Sequence, residues 1–240
     1  MEKIGARIAR MGRDLVASLE RESPSYRALR EGEMSRDQYL EFLVQHYKYA
    51  RGNYEMMKAY ARSMGEATPS GYGVIAKGAE RHAEEEKGHD DGILADIATL
   101  WDCTPREALA RVESMPSAPG VELYLASVAT TLAKFPCAIA GLAIVLESVA
   151  ESVARVARDN IVARPPFPGA ERAIRFLSDH SDDGDHVQGG RLRVDLLEGV
   201  HHTLAARTLA AAIAVYYREI WRFIDALHAP EPETLMAAAR

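Results

Sequence analysis

The sequence predicts an all-α fold, a bundle of about seven or eight helices, and three observations carry that expectation. Apolar residues recur at steps of three and four along most of the chain, no stretch alternates as a strand does, and capping signals precede the periodic segments. Ile4, Ile8, Met11, Leu15 and Leu19 share one face of an opening helix that Pro24 closes, with a short turn-like helix following to Leu29. Ser35 with Gln38 three residues later is a capping box, which predicts one long helix through Tyr39, Phe42, Leu43, His46 and Tyr49 toward Met64. A break at Thr68-Pro69 and Ser70-Gly71 precedes a helix expected over 73–100, and Thr104-Pro105 starts a short one to about Glu113. An Ala- and Val-rich helix is expected over 121–162, kinked where Pro136 removes a hydrogen bond. The run of prolines over 164–169 ends it, a helix over 170–188 follows, and the last helices fill 191–227. We read one domain over residues 1–229 and a tail over 230–240.

Composition narrows the function classes. A chain of 240 residues can bury a sizeable core, and a hydrophobic share of 48% with 27% charged residues excludes disorder. The net charge of -6 speaks against nucleic acid and anionic membranes, because both demand concentrated Lys and Arg. The low-charge stretch Thr203–Tyr217 is too short to span a membrane and carries Arg207, and the N-terminus is amphipathic without a cleavage pattern. A cytoplasmic protein is the expectation. Cys103 and Cys137 lack CxxC spacing, which disfavours both a disulfide framework and a zinc-thiolate site.

Three segments place ligand-type side chains on helices that should be buried. Glu86 and His89 stand three apart, a Glu-x-x-His pair of the kind helix bundles use for iron or manganese, with His82 seven residues before His89. A solvated charged face is the alternative there. Glu147 has only Glu151 as charged company between Cys137 and Val153, and a lone buried carboxylate needs a partner or a cation. An Arg or a tyrosine hydroxyl could be that partner. His180, Asp183 and His186 are spaced three and three, half of an iron site or an acidic surface run with incidental histidines. Together, three histidines and three carboxylates suit two divalent ions of iron or manganese better than zinc, calcium or magnesium.

At these residues the chain resembles the haem-oxygenase-like di-iron oxidases. Tyr26-Arg27-Ala28-Leu29, Ser35-Arg36-Asp37-Gln38-Tyr39 and Gln45-His46-Tyr47-Lys48-Tyr49 are similar to the N-terminal pattern of the wider group that includes TenA-like and PqqC-like proteins. Glu85-Glu86-Lys87-Gly88-His89-Asp90, Val145-Leu146-Glu147 and Phe176-Leu177 with His180, Asp183 and His186 resemble the iron-ligand segments of the di-iron branch. Ala212-Ile213 through Tyr216-Tyr217-Arg218-Glu219-Ile220-Trp221 is similar to the group's last helix. Two departures leave choices open. Gly184 stands where that branch has its aspartate, so Asp183, Asp182 or Asp185 could serve, and Glu86, Glu85 and His82 compete for one coordination position.

The resemblance implies a haem-oxygenase-like bundle, two ferrous ions with manganese as a variant, and O2 as co-substrate. It also implies a homodimer and oxidation of a small amine, amino-acid or fatty-acid-like substrate, by N-oxygenation or C–C cleavage, often in natural-product pathways. Tyr47, Arg51 and Tyr54 are candidate substrate contacts. A metal-free TenA-like hydrolase using Cys137 is the competing enzyme, and a helical binding protein without metal is the non-enzymatic reading. A true haem oxygenase would need an axial histidine on the first helix, and none occurs before His46.

Overall fold

The computed structural model describes residues 2–67, 72–181, 193–197 and 199–228. Its α-helices are, in order, α1 (Ile4–Glu22), α2 (Pro24–Glu31), α3 (Arg36–Ala50), α4 (Asn53–Ala67), α5 (Tyr72–Glu85), α6 (His89–Trp101), α7 (Pro105–Ser114), α8 (Pro119–Lys134), α9 (Ile139–Ala163), α10 (Arg175–Asp179) and α11 (Val200–Leu227). Short 3-10 turns lie at Pro136–Ala138 and Ala170–Arg172, and no strand occurs among the described residues. Both capping boxes form, Ser35 with Gln38 and Thr104 with Glu107.

Two helices expected to be continuous are each split at a glycine. Gly52 (φ 81°) separates α3 from α4, and Gly88 (φ 86°) separates α5 from α6. Apolar periodicity runs on past such a residue, while the left-handed backbone it permits ends the helix. Pro136 likewise does more than kink: Phe135 leaves helical geometry and the 3-10 turn intervenes before α9. Among the described residues of the helix expected over 170–188, a 3-10 turn precedes α10, and His180 sits just past the end of α10. Asp182, Asp183, Asp185, His186 and the tail 230–240 lie outside the described residues.

Pro136–Ala163 is long and apolar enough to cross a membrane, which corrects the expectation that no segment is. Its most apolar window is 78% buried inside the bundle, where it serves as the central helix. α1, α2, α10 and α11 pack around α9. The approach of α11 is close: a Cβ on Gly141 would stand 2.5 Å from the Ala206 carbonyl oxygen. Helix starts, whose first amides have no partner within the helix, are satisfied from far along the chain. Asp195 accepts from Gly5 N–H (2.8 Å), Asp225 from Ser25 N–H (2.8 Å) and Asp96 of α6 from Phe176 N–H (3.0 Å). Gln45, fully buried on α3, accepts from Ala118 N–H and donates to the Pro116 carbonyl, pinning the turn into α8.

The Gly141 contact has a measurable cost. Gly141→Ala gains about 1 kcal/mol of helix propensity but forces α9 from α11 at a backbone oxygen, an overpacking worth about 1–3 kcal/mol. We expect net destabilisation of about 1 kcal/mol, and a Tm drop of about 2–4 °C in thermal unfolding.

Candidate functional site

The buried face of α9 opens onto an internal cavity with free space of about 50 Å3. Since a water occupies about 10–15 Å3 on this measure, the space suits a few small groups rather than a large ligand. Its apolar wall comes from Phe42 on α3, Leu146, Val149 and Val153 on α9, and Phe176 on α10. Its polar lining is Glu86, His89, Glu147, His180 and His46, with Tyr49, Tyr217 and Trp221 beside them.

Glu86 lies in the break between α5 and α6 and faces two ways. Its Oε2 accepts a hydrogen bond from His89 Nδ1 at 3.2 Å, and its Oε1 is 4.0 Å from His82 Nε2. His82 Nε2 in turn stands 3.5 Å from Glu147 Oε1 on α9. Two groups of donor atoms result, Glu86 with His89 and His180, and His82 with Glu86 and Glu147, each with its atoms within 4.8 Å of one another. Glu86 belongs to both. Nitrogen and carboxylate donors without thiolate are the chemistry that iron and manganese take in helix bundles, so the residues present fit such a pair.

The histidines are held in usable tautomers. His180 Nδ1 donates to the Phe176 carbonyl at 2.9 Å, which leaves the Nε2 lone pair for a ligand. Its ring centroid is 4.7 Å from that of His89. Asp96 joins the two histidines' helices, because it sits on α6 with His89 and caps α10, which delivers His180.

Burial pushes the Glu86 carboxyl up, but the hydrogen bond from His89 and the nearby His82 and His180 outweigh it and hold it at about 2. It is therefore ionised, as a metal ligand must be. Burial lowers His46 to about 4 against the opposing Phe42 carbonyl, so its ring is neutral, with Nδ1 hydrogen-bonded to that carbonyl at 2.8 Å. Tyr49 and Tyr217 are raised by burial and by neighbouring acidic groups, and stay protonated.

Of the sequence candidates, Glu86, His89, Glu147 and His180 meet at this cavity, while Asp182, Asp183 and His186 lie outside the described residues. The expected competition among Glu85, Glu86 and His82 is resolved differently. His82 and Glu86 occupy separate corners of the site, whereas Glu85 pairs with Arg81 (3.1 Å) and stands 3.6 Å from His82 Nδ1. Glu86 and His89 do not share a continuous helix face; the turn at Gly88 brings them together.

Tyr47, Arg51 and Tyr54 are absent from the cavity lining, and Arg51 pairs with Glu113 at the surface (2.8 Å). Phe42, His46 and Tyr49 line it from the same helix, residues the sequence reading placed along that helix without assigning them a role. A histidine between two aromatics at helical spacing is the signal that could have singled out His46. Cys137 is buried, its thiol is raised by burial, and it is not among the cavity residues.

No family profile and no curated protein matches the chain. Solved structures do match over nearly its whole length. A domain of unknown function with a haem-oxygenase-like fold from Shewanella denitrificans is 18% identical with a TM-score of 0.66, covering 95% of this chain and 94% of that one. A TenA homolog from Pseudomonas syringae pv. tomato is 15% identical with a TM-score of 0.70, covering 92% and 90%. A CADD-like protein of unknown function from Nostoc punctiforme is 13% identical with a TM-score of 0.57, covering 91% and 99%. At such identities the likeness establishes architecture: the chain has the haem-oxygenase-like, TenA-like fold.

Two measurements probe the site. In anaerobic titration with ferrous or cobaltous ion, Glu86→Ala should weaken both binding events, and His82→Ala and His180→Ala one each. The loss should exceed the roughly 10–100-fold typical of outer-shell partners, and equal affinity across the variants would refute the shared-carboxylate arrangement. The second concerns Asp96, raised by burial from 3.8 to about 6 despite the opposing Phe176 and Arg175 amides. A carboxyl raised on folding stabilises the fold below its unfolded value and loses that contribution as pH rises through about 6. Asp96→Asn keeps the acceptor without the charge. Relative to wild type, its stability in denaturant unfolding should improve between pH 4 and pH 8 by up to roughly 3 kcal/mol.

Proposed function

We propose that the chain is a non-haem di-iron oxidase or oxygenase that activates O2 to oxidise a small amine, amino-acid or fatty-acid-like substrate. One observation carries the reading: a part-buried carboxylate, Glu86, directs one oxygen toward each of two histidine-carboxylate groups on a cavity wall. His89 and His180 with Glu86 would hold one ion, and His82 and Glu147 with Glu86 the other. Asp183 and His186 complete the proposed set, with Asp182 as the substitute for Asp183. Manganese could replace iron in this donor set.

The ion pair, when bound, supplies the electrons that O2 reduction requires and the oxidising power to attack a C–H or N–H bond. The chain does the rest. Phe42, Leu146, Val149, Val153 and Phe176 keep bulk water from the reacting centre, which strengthens every charge interaction there. His46, neutral with its Nδ1 proton engaged, keeps Nε2 as a proton acceptor, and the Tyr49 and Tyr217 hydroxyls keep their protons to donate. A small substrate suits the limited free space of the cavity better than one with a long chain.

The test is anaerobic ferrous loading followed by mixing with oxygen. Protein that retains about two irons and develops a transient visible absorption, both lost in Glu86→Ala, supports the oxidase. Protein that takes up no iron or manganese sinks it. Loss of turnover in Cys137→Ser, with indifference to chelators, would instead favour the hydrolase that the TenA-like architecture also accommodates.

A further inference from the structure

Trp221 on α11 lines the candidate metal cavity and also a cleft at the protein surface, where it stands beside Arg218. Arg218 continues into an open groove of about 490 Å3 between α1 and α11. Four arginines, Arg7, Arg10, Arg207 and Arg218, line that groove against a single acid, Asp14. Among the described residues Arg10 pairs with Glu2, whereas Arg7, Arg207 and Arg218 form no ion pair. In a chain of net charge -6 this is a strong local reversal of sign. The floor is apolar, with Met11 part-buried and Val215 38% exposed.

Trp221 is itself buried (1% exposed), and from it inward the rings are contiguous. Trp221 stacks on Phe42 with centroids 5.5 Å apart, and Phe42 lies 5.7 Å from Phe176. Phe176 is 4.7 Å from His180, which is 4.7 Å from His89. The Trp221 indole N–H is buried without a hydrogen-bond partner, and packing in the core holds the residue. Buried indoles ordinarily find an acceptor, and this one instead bridges the arginine face and two candidate ligands.

We propose that the arginine groove is the docking surface for an acidic one-electron carrier protein, and that the ring of Trp221 lies on the tunnelling path from that carrier to the cavity. The proposal rests on the oxidase reading, which leaves the metal pair oxidised after turnover. Each carrier passes from reduced to oxidised as one ferric ion becomes ferrous, so two carriers restore the pair and no atom is transferred. Charge complementarity selects the partner: like guanidinium groups would face each other if a second copy of this chain used the same groove in a two-fold contact.

The probe is a plant-type ferredoxin, a small acidic carrier, titrated calorimetrically onto the full chain at low ionic strength. Arg7→Glu/Arg207→Glu should bind it at least about tenfold more weakly, and the gap should close as salt screens the charges. The milder Arg7→Gln/Arg207→Gln should fall between. In stopped flow, reduced ferredoxin should re-reduce the iron-loaded Trp221→Phe variant about tenfold more slowly at unchanged ferredoxin affinity. Equal affinity in the charge-reversed variant overturns the docking surface, as does a dimer in sedimentation that this variant dissolves. Binding is read whether or not iron is present, so a chain that takes up no iron but binds ferredoxin through these arginines refutes the oxidase and leaves the docking surface standing.

Discussion

One carboxylate sits where a helical bundle would normally place only hydrocarbon, a second stands part-buried against it, and the surrounding structure answers both. Glu147 is 3% exposed on the most apolar helix of the chain, and Glu86 is held ionised beside it. Ionised groups in such a place are costly unless compensated, and three histidines from three different segments converge on them. Each convergence has its own device. The Gly88 turn brings His89 back over Glu86, Asp96 fastens the helix before His180, and α5 carries His82 against α9. The close crossing at Gly141 holds α9 at the depth where its one carboxylate in that apolar stretch meets them.

How much of this could be read from the chain depends on what kind of signal each feature leaves. Side-chain capping is local and chemically explicit, and Ser35, Thr104 and the proline run over 164–169 mark their boundaries correctly. Glu147 was conspicuous for the same reason: a charge inside an apolar helix stands out whatever the fold. The breaks at Gly52 and Gly88 were invisible because periodicity reports side-chain faces and not the backbone dihedral of one glycine.

The cavity's own face was missed for a different reason. Phe42, His46 and Tyr49 were read only as residues along one helix, and a helix face looks alike whether it meets another helix or an empty space. Four tyrosines deepen that ambiguity. Tyr49, Tyr124, Tyr216 and Tyr217 touch one another with centroids 5.0–5.1 Å apart, and the hydroxyls of Tyr124 and Tyr216 are buried without a partner. Their rings account for their burial; their oxygens do not follow from packing, and nothing in the sequence distinguishes the two cases.

The two-faced Glu86 also bears on how such a centre is assembled. Under the proposed reading, a first cation caught by either group would fix the carboxylate's rotamer and leave the opposite oxygen aimed for the next. The orientational entropy of that side chain would then be lost once for two ligation events, a source of positive cooperativity in a single torsion. That coupling would work against a half-filled centre holding one reactive ion alone.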